Sequence, residues 1–410
     1  MRGQRIRQST AKAGANSQSM PPIVPLCIRK TEPPLIQSTR TSKLQPRIMI
    51  YAENVRHSHR FHHNSAIAQA LAHSHLHADV LLISDQDAPQ QLDSHIQWVT
   101  VSSENLSANT ERVQQVHQML MSFAPDILIV ENNCSGTSPD LASLLQNARA
   151  LHNTRCVLAL DSDVNPPQAS TTLYNTLGQG IHSYYDQIWI YGDAQVEDAI
   201  HAISFAPLIR KKIRYTGYIT PRQNKQATTS KKKRTKTLLV FGQGETLAQS
   251  TDLIINTILA TPGGLTILTS PHMPINAVKS LVALSKTQKA LLIETDPTQL
   301  FSLLEKHDRV ITLDDEETAL SALAQNKPLL VIHDEQTNRQ SVTNQRFQQL
   351  QNLKLTNVLL SNELNAQMLQ AWLDAPPSIT TSTPLDCDGL KNLPQLVGTL
   401  LTTDRRKSSR

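Results

Sequence analysis

Short apolar runs alternate along this chain with longer segments in which apolar residues recur every three or four positions. The short runs predict strands at 48–53, 80–84, 127–131, 156–161 and 187–191, and the longer patterns between them predict helices, for example at 65–76, 111–122 and 139–151. A second series follows, with strands at 237–242, 265–269, 290–294, 309–313, 328–333 and 357–360. Its helices are predicted at 246–259, 275–284, 298–305, 317–324, 341–350 and 364–373, and a last one at 389–401 is placed to cross back onto the first half. Strand then helix, repeated, implies parallel sheets covered on both faces. The expected fold class is therefore α/β, with two Rossmann-like domains whose ligands lie at the carboxyl ends of the strands.

Charge sharpens the boundaries. Residues 1–47 carry nine Lys/Arg against Glu32 alone, 210–236 carry eleven Lys/Arg and no acid, and 405–410 add four more. The remainder has 15 basic and 33 acidic residues, so an acidic body sits between basic flanks although the whole chain is +5. The expected organisation is a disordered basic extension at 1–46, a first domain at 47–209 and a basic linker at 210–236. A second domain at 237–402 and a basic tail at 403–410 complete it. Without a basic face on the body, nucleic acid is not an expected partner.

Cys27, Cys134, Cys156 and Cys387 show no paired spacing and read as reduced thiols. No apolar run approaches a spanning helix, and the acid-free N-terminus lacks the apolar region of a secretory signal. The expected location is cytoplasmic, with peripheral membrane contact left open. Seven histidines crowd 57–77, and His59/His63 and His73/His77 have the i,i+4 spacing of one helix face. No third ligand accompanies them, so no metal site is assigned. Asp161, Asp163 and Asp193 end strands and read as caps and turn formers. There is no G-x-S-x-G elbow and no P-loop.

Several stretches, in order, carry a resemblance. They are YAENVRHSHRFHHNSAIAQAL (51–71), YYDQIWIYGDAQV (184–196), IRYTGYI (213–219), LLVFGQGET (238–246), LTILTSPHMP (265–274) and TLDDEETALSALAQNKPLLVIHDEQTNRQSVTNQRFQQL (312–350). Together they resemble GT-B glycosyltransferases close to glycosyltransferase family 28, the group containing the enzyme that adds N-acetylglucosamine to lipid II. The resemblance spans about 46–401, and its most specific segments, YGD and RYTGY, are framework rather than catalytic. It implies two domains facing each other across a cleft, a nucleotide-sugar donor held by the second domain, and a glycan or lipid-linked acceptor on the first. It also implies donor contacts at Gly242, Gly244, Thr318 and Gln340, and His59 or His62 as the base. Catalytically inactive descent, leaving a scaffold that binds a glycan, metabolite or protein, is the alternative.

The ligand loops depart from the family pattern. His57 and His59 stand at family glycines, and Arg60 stands at the family histidine. In the second domain Asp314 and Asp315 replace glycines, Glu316 and Glu317 replace a Tyr-Asn pair, and Ser321 replaces a helix glutamate. The four consecutive carboxylates fit a helix start, where they cap and complement the dipole. They are expected to repel a diphosphate, since two like charges ~4 Å apart near a surface cost about 4 kcal/mol. The other expectation is a divalent cation bridging carboxylates and phosphates. No cofactor is otherwise implied.

Overall fold

The protein is described by a computed structural model. It covers residues 45–52, 58–85, 87–88, 93–101, 108–131, 139–160, 180–201, 207–220, 235–242, 248–261, 263–333, 342–375 and 384–402.

The first sheet contains β1 (Arg47–Ala52), β2 (Asp79–Ser84), β3 (Ile96–Thr100), β4 (Ile127–Glu131), β5 (Arg155–Leu160), β6 (Gln187–Ile190) and β7 (Ile213–Tyr215). All pairings are parallel, in the order β3-β2-β1-β4-β5-β6-β7. Its helices are α1 (Ser58–Ala72), α2 (Ala108–Phe123), α3 (Pro139–His152), α4 (Ala194–His201) and the single turn α5 (Pro207–Arg210). The period-two alternation of β1 sends Ile48 and Ile50 into a core shared with α1, and Met49 and Tyr51 into the opposite core shared with α2 and α3.

The second sheet contains β8 (Thr235–Phe241), β9 (Gly263–Leu268), β10 (Leu291–Glu294), β11 (Arg309–Leu313), β12 (Leu329–His333) and β13 (Asn357–Leu360), in the order β10-β9-β8-β11-β12-β13. Its helices are α6 (Ala248–Leu259), α7 (Ile275–Thr287), α8 (Leu300–Lys306), α9 (Glu316–Ala324), α10 (Val342–Asn352) and α11 (Ala366–Asp374). The last helix, α12 (Gly389–Thr402), returns to the first half as expected. Its Leu393, Val397 and Leu400 enter the core formed by β1, β2 and α1.

Several expectations need correction. Strand β3 was not anticipated, and β7 lies inside the stretch read as linker. Helix α1 begins at Ser58, so the loop expected to run through Asn64 is shorter. It also ends at Ala72, before His73, and His77 takes a left-handed φ of 46°. His73 and His77 therefore do not share a helix face. Residues 1–44 of the extension expected at 1–46, and the tail at 403–410, lie outside the described residues.

Candidate functional site at the two strand-order reversals

Each sheet reverses direction of strand order between its two central strands, β1/β4 in one and β8/β11 in the other. The crevice at such a reversal, beyond the carboxyl ends of the strands, is the usual ligand position of an open α/β sheet.

In the first sheet Tyr51 from β1 and Glu131 from β4 end side by side, because Ala52 pairs with Glu131. Arg112 on α2 is buried, donates to the Tyr51 hydroxyl at 3.2 Å and stacks over its ring. The Tyr191 hydroxyl donates to Glu131 Oε1 at 2.9 Å, and that carboxylate is 5% exposed. These groups were not singled out from the sequence. For Tyr51, Glu131 and Tyr191 the signal was position alone, polar side chains at or beside the ends of apolar strands; Arg112, on α2, had none. His59 and His62 fall in the first turns of α1, and their side chains lie outside the described set.

In the second sheet β8 runs into Gly242, whose N–H donates to the Leu313 carbonyl at 2.8 Å. A Cβ there would lie 2.5 Å from the Leu313 carbonyl oxygen and 2.6 Å from that of Asp314, so no side chain fits. The β8 turn is thus pressed directly onto the acidic turn. Gly244 and Gln340 lie outside the described residues, as do Asp161 and Asp163.

The four acids do not act as a bare anionic patch. Asp314 holds φ at 52°, the left-handed region a glycine would favour, which Asp tolerates better than most residues. Its carboxylate meets His333 Nδ1 at the end of β12. Asp315 is the N-cap of α9: it accepts from the Thr318 N–H at 3.3 Å and from the Thr318 hydroxyl at 2.6 Å. Burial raises its pKa against the opposing pull of those two bonds. Thr318 is fully buried, so its hydroxyl is committed to the cap. Glu316 meets Arg346 and accepts from the Thr343 hydroxyl at 3.1 Å. Two of the four carboxylates thus have basic side-chain partners, His333 and Arg346, which lie 19 and 30 residues further along the chain.

Arg346 continues across the domain boundary. Its Nε donates to Glu197 Oε1 at 2.7 Å and a terminal nitrogen donates to Oε2 at 2.9 Å, and both residues are 0% exposed. The Tyr218 hydroxyl donates to the same Glu197 at 2.6 Å. Burial alone would lower the Arg346 pKa, but Glu316 and Glu197 outweigh it and hold the guanidinium well above its ordinary value. Burial, then the Glu197 charge, push the Tyr218 hydroxyl well up. One buried cation thus ties α4 of the first domain to α9 and α10 of the second.

The YGD and RYTGY segments build this joint. Gly192 packs on the Glu197 side chain, and a Cβ there would lie 2.4 Å from its Cγ. Asp193 accepts from the Gln195 N–H at 2.7 Å and from the Asp386 N–H at 2.6 Å. Gly217, at φ 82°, lets Tyr218 exchange backbone bonds with Asp386 and Gly389.

Beside His333 lies a half-open groove of about 440 Å³, lined mainly by Asn344, Phe347, Gln348 and Gln351 on α10 and by Val358 and Leu360 on β13. Among the described residues no group of three or more His, Cys, Asp or Glu side chains is arranged to hold a metal ion. None of their helices is long and apolar enough to cross a membrane. Cys156 and Cys387 are buried and not in a disulfide; Cys27 and Cys134 lie outside the described residues.

No protein-family profile matches the chain, and no curated protein sequence matches it significantly. Solved structures do. The glycosyltransferase SnogD from Streptomyces nogalater is 15% identical, with 87% of this chain and 95% of that one covered at a TM-score of 0.54. MurG from Acinetobacter baumannii is 13% identical, covering 87% of this chain and 99% of its own at 0.52. UGT89C1 from Arabidopsis thaliana, complexed with UDP, is 12% identical, covering 87% and 100% at 0.55. At such identities the likeness speaks for architecture, and it agrees with the two parallel sheets. The chain has the GT-B fold of these glycosyltransferases.

Proposed function

We propose that this chain transfers a sugar from a nucleotide-sugar donor to a glycan or lipid-linked acceptor. The supporting observation is the pair of strand-order reversals, with Gly242, a position that admits no side chain, at the carboxyl end of β8 in the second. Close backbone approach is what a diphosphate requires. In this reading Gly242, Gly244 and Gln340 border the donor, and Thr318 acts by holding Asp315 at the start of α9. His59 or His62, on α1, removes the acceptor proton, since a general base must reach the attacking hydroxyl. In the same reading the departures from the family pattern are a remodelled donor loop, with Asp314 and Glu316 held by His333 and Arg346.

A second reading has one observation in its favour. The first N–H groups of α9, where a phosphate would bind, already receive the Asp315 carboxylate. A chain that uses this fold to bind a glycan, metabolite or protein without chemistry would keep such a cap. A thermal-shift titration separates the two, using UDP, GDP, ADP, dTDP and UDP-sugars with and without Mg²⁺ or Mn²⁺. A ligand at ~100 times its dissociation constant adds about 2.7 kcal/mol of stability, enough to move the melting point by a few degrees. A shift with one nucleotide supports transfer, and a shift only with metal makes the carboxylates ligands. No shift at millimolar concentration leaves the second reading.

A further inference from the structure

The outer edge of the second sheet differs from the others. Strand β10 pairs with β9 on one side through Leu291–Glu294 against Leu265–Leu268, and among the described residues no strand pairs with its other side. Natural edges are blunted by shortness, which β10 has, and by lysine, proline or a bulge within the strand, which it lacks. Here the four residues are Leu-Leu-Ile-Glu. Leu292 is 64% exposed, and on the neighbouring helix α7 Ile275 is 65% and Val282 36% exposed. Of the six large apolar side chains that are strongly exposed among the described residues, these are three. The opposite edge, β13, contributes none.

Charge around this edge is polarised along the strand. Lys286, in the last turn of α7, and Lys289, both exposed, precede β10, while Glu294 ends it, accepting from the Thr295 and Asp296 N–H groups, and exposed Asp296 follows. A two-fold axis sets an identical strand antiparallel, so the residue before one strand meets the residue after the other. The lysines of one copy then face the carboxylates of the second, twice over, while Leu292 sits near the centre. A parallel, in-register pairing would bring like charges together. The patch is therefore complementary to itself.

We propose that β10 and α7 form a homodimer interface in which two β10 strands pair antiparallel and join the second sheets of two copies into one. The joint is remote in sequence from the candidate donor and acceptor groups and is independent of the proposed transfer.

Sedimentation velocity of the full chain from low to high micromolar concentration provides the test. The expected result is a concentration-dependent dimer that Leu292→Lys weakens by about tenfold or more, the scale of one apolar anchor lost from an interface centre. Leu292 is largely exposed in the single chain, so that variant should keep the wild-type far-UV spectrum and melting profile. Charge reversal gives a second arm free of the apolar change. Lys289→Glu and Glu294→Lys chains should each dimerise poorly alone and recover when mixed, because the mixed pair restores attraction at both contacts. A monomer at every concentration overturns the proposal. So does a dimer indifferent to Leu292→Lys, or a mixture that associates no better than its components.

Discussion

At the reversal of the first sheet, a buried carboxylate and a buried guanidinium rest against phenols: Glu131 receives the Tyr191 hydroxyl, and Arg112 donates to Tyr51. At the reversal of the second sheet, a buried cation meets carboxylates: Arg346 is gripped by buried Glu197 from one domain and half-buried Glu316 from the other. The same topological position thus carries two electrostatic designs. In the first, each of these contacts sets a charge beside a neutral hydroxyl within one domain. In the second, a single guanidinium is shared by carboxylates of two domains, and Glu316 is the member of the acidic turn that reaches it.

The largest way to break this contrast is Arg346→Met. It leaves Glu197 and Glu316 without their cation in a dry environment and is expected to cost about 3–5 kcal/mol, the usual penalty for orphaning one side of a buried pair. Denaturant unfolding measures it. A loss below about 1 kcal/mol, the scale of an exposed pair, would mean that the network is solvated and does not join the domains.

A smaller effect is expected from Asp315→Ala. It removes the α9 cap and frees the Thr318 N–H and hydroxyl, for a loss of about 0.5–2 kcal/mol. The same variant sharpens the functional contrast. If the cap occupies a phosphate position, Asp315→Ala should strengthen nucleoside diphosphate binding in a calorimetric titration even as it lowers stability.

The smallest effect is a pH slope. Burial raises the Asp315 pKa in the folded chain above its ordinary value of 3.8. Between those two values the folded chain binds more protons than the unfolded one, so stability should fall as pH rises through that window and level off above it. Asparagine caps helices as well as aspartate. Asp315→Asn should therefore keep the helix and lose this component of the slope, read from melting points across the acidic range. An unchanged slope would assign the titration to another group.

The sequence exposed the framework well, because strands buried on both faces are apolar runs that periodicity detects. Strand β3 escaped because IQWVT follows a polar stretch and keeps three half-buried residues and an exposed one. Strand β7 escaped because Arg210, Lys211, Lys212 and Arg214 dominate its neighbourhood, although Ile213 turns inward. The acidic turn was legible as a helix start, and Asp315 and Thr318 do form its cap. Its charge balance was not legible. Glu197 and Arg346 are 149 residues apart, and nothing local in either segment announces the other. Repulsion inferred from neighbours in sequence overlooked neighbours in space.

The most direct test of the joint is a double-mutant cycle between Glu197→Gln and Arg346→Gln, read as unfolding free energy. If one buried ion pair spans the domains, the two losses should fall short of additive by about 1–3 kcal/mol, the coupling typical of residues in one network. Losses that add to within about 0.5 kcal/mol, as for distant independent sites, would contradict the account and return the acidic turn to the ligand side of the cleft.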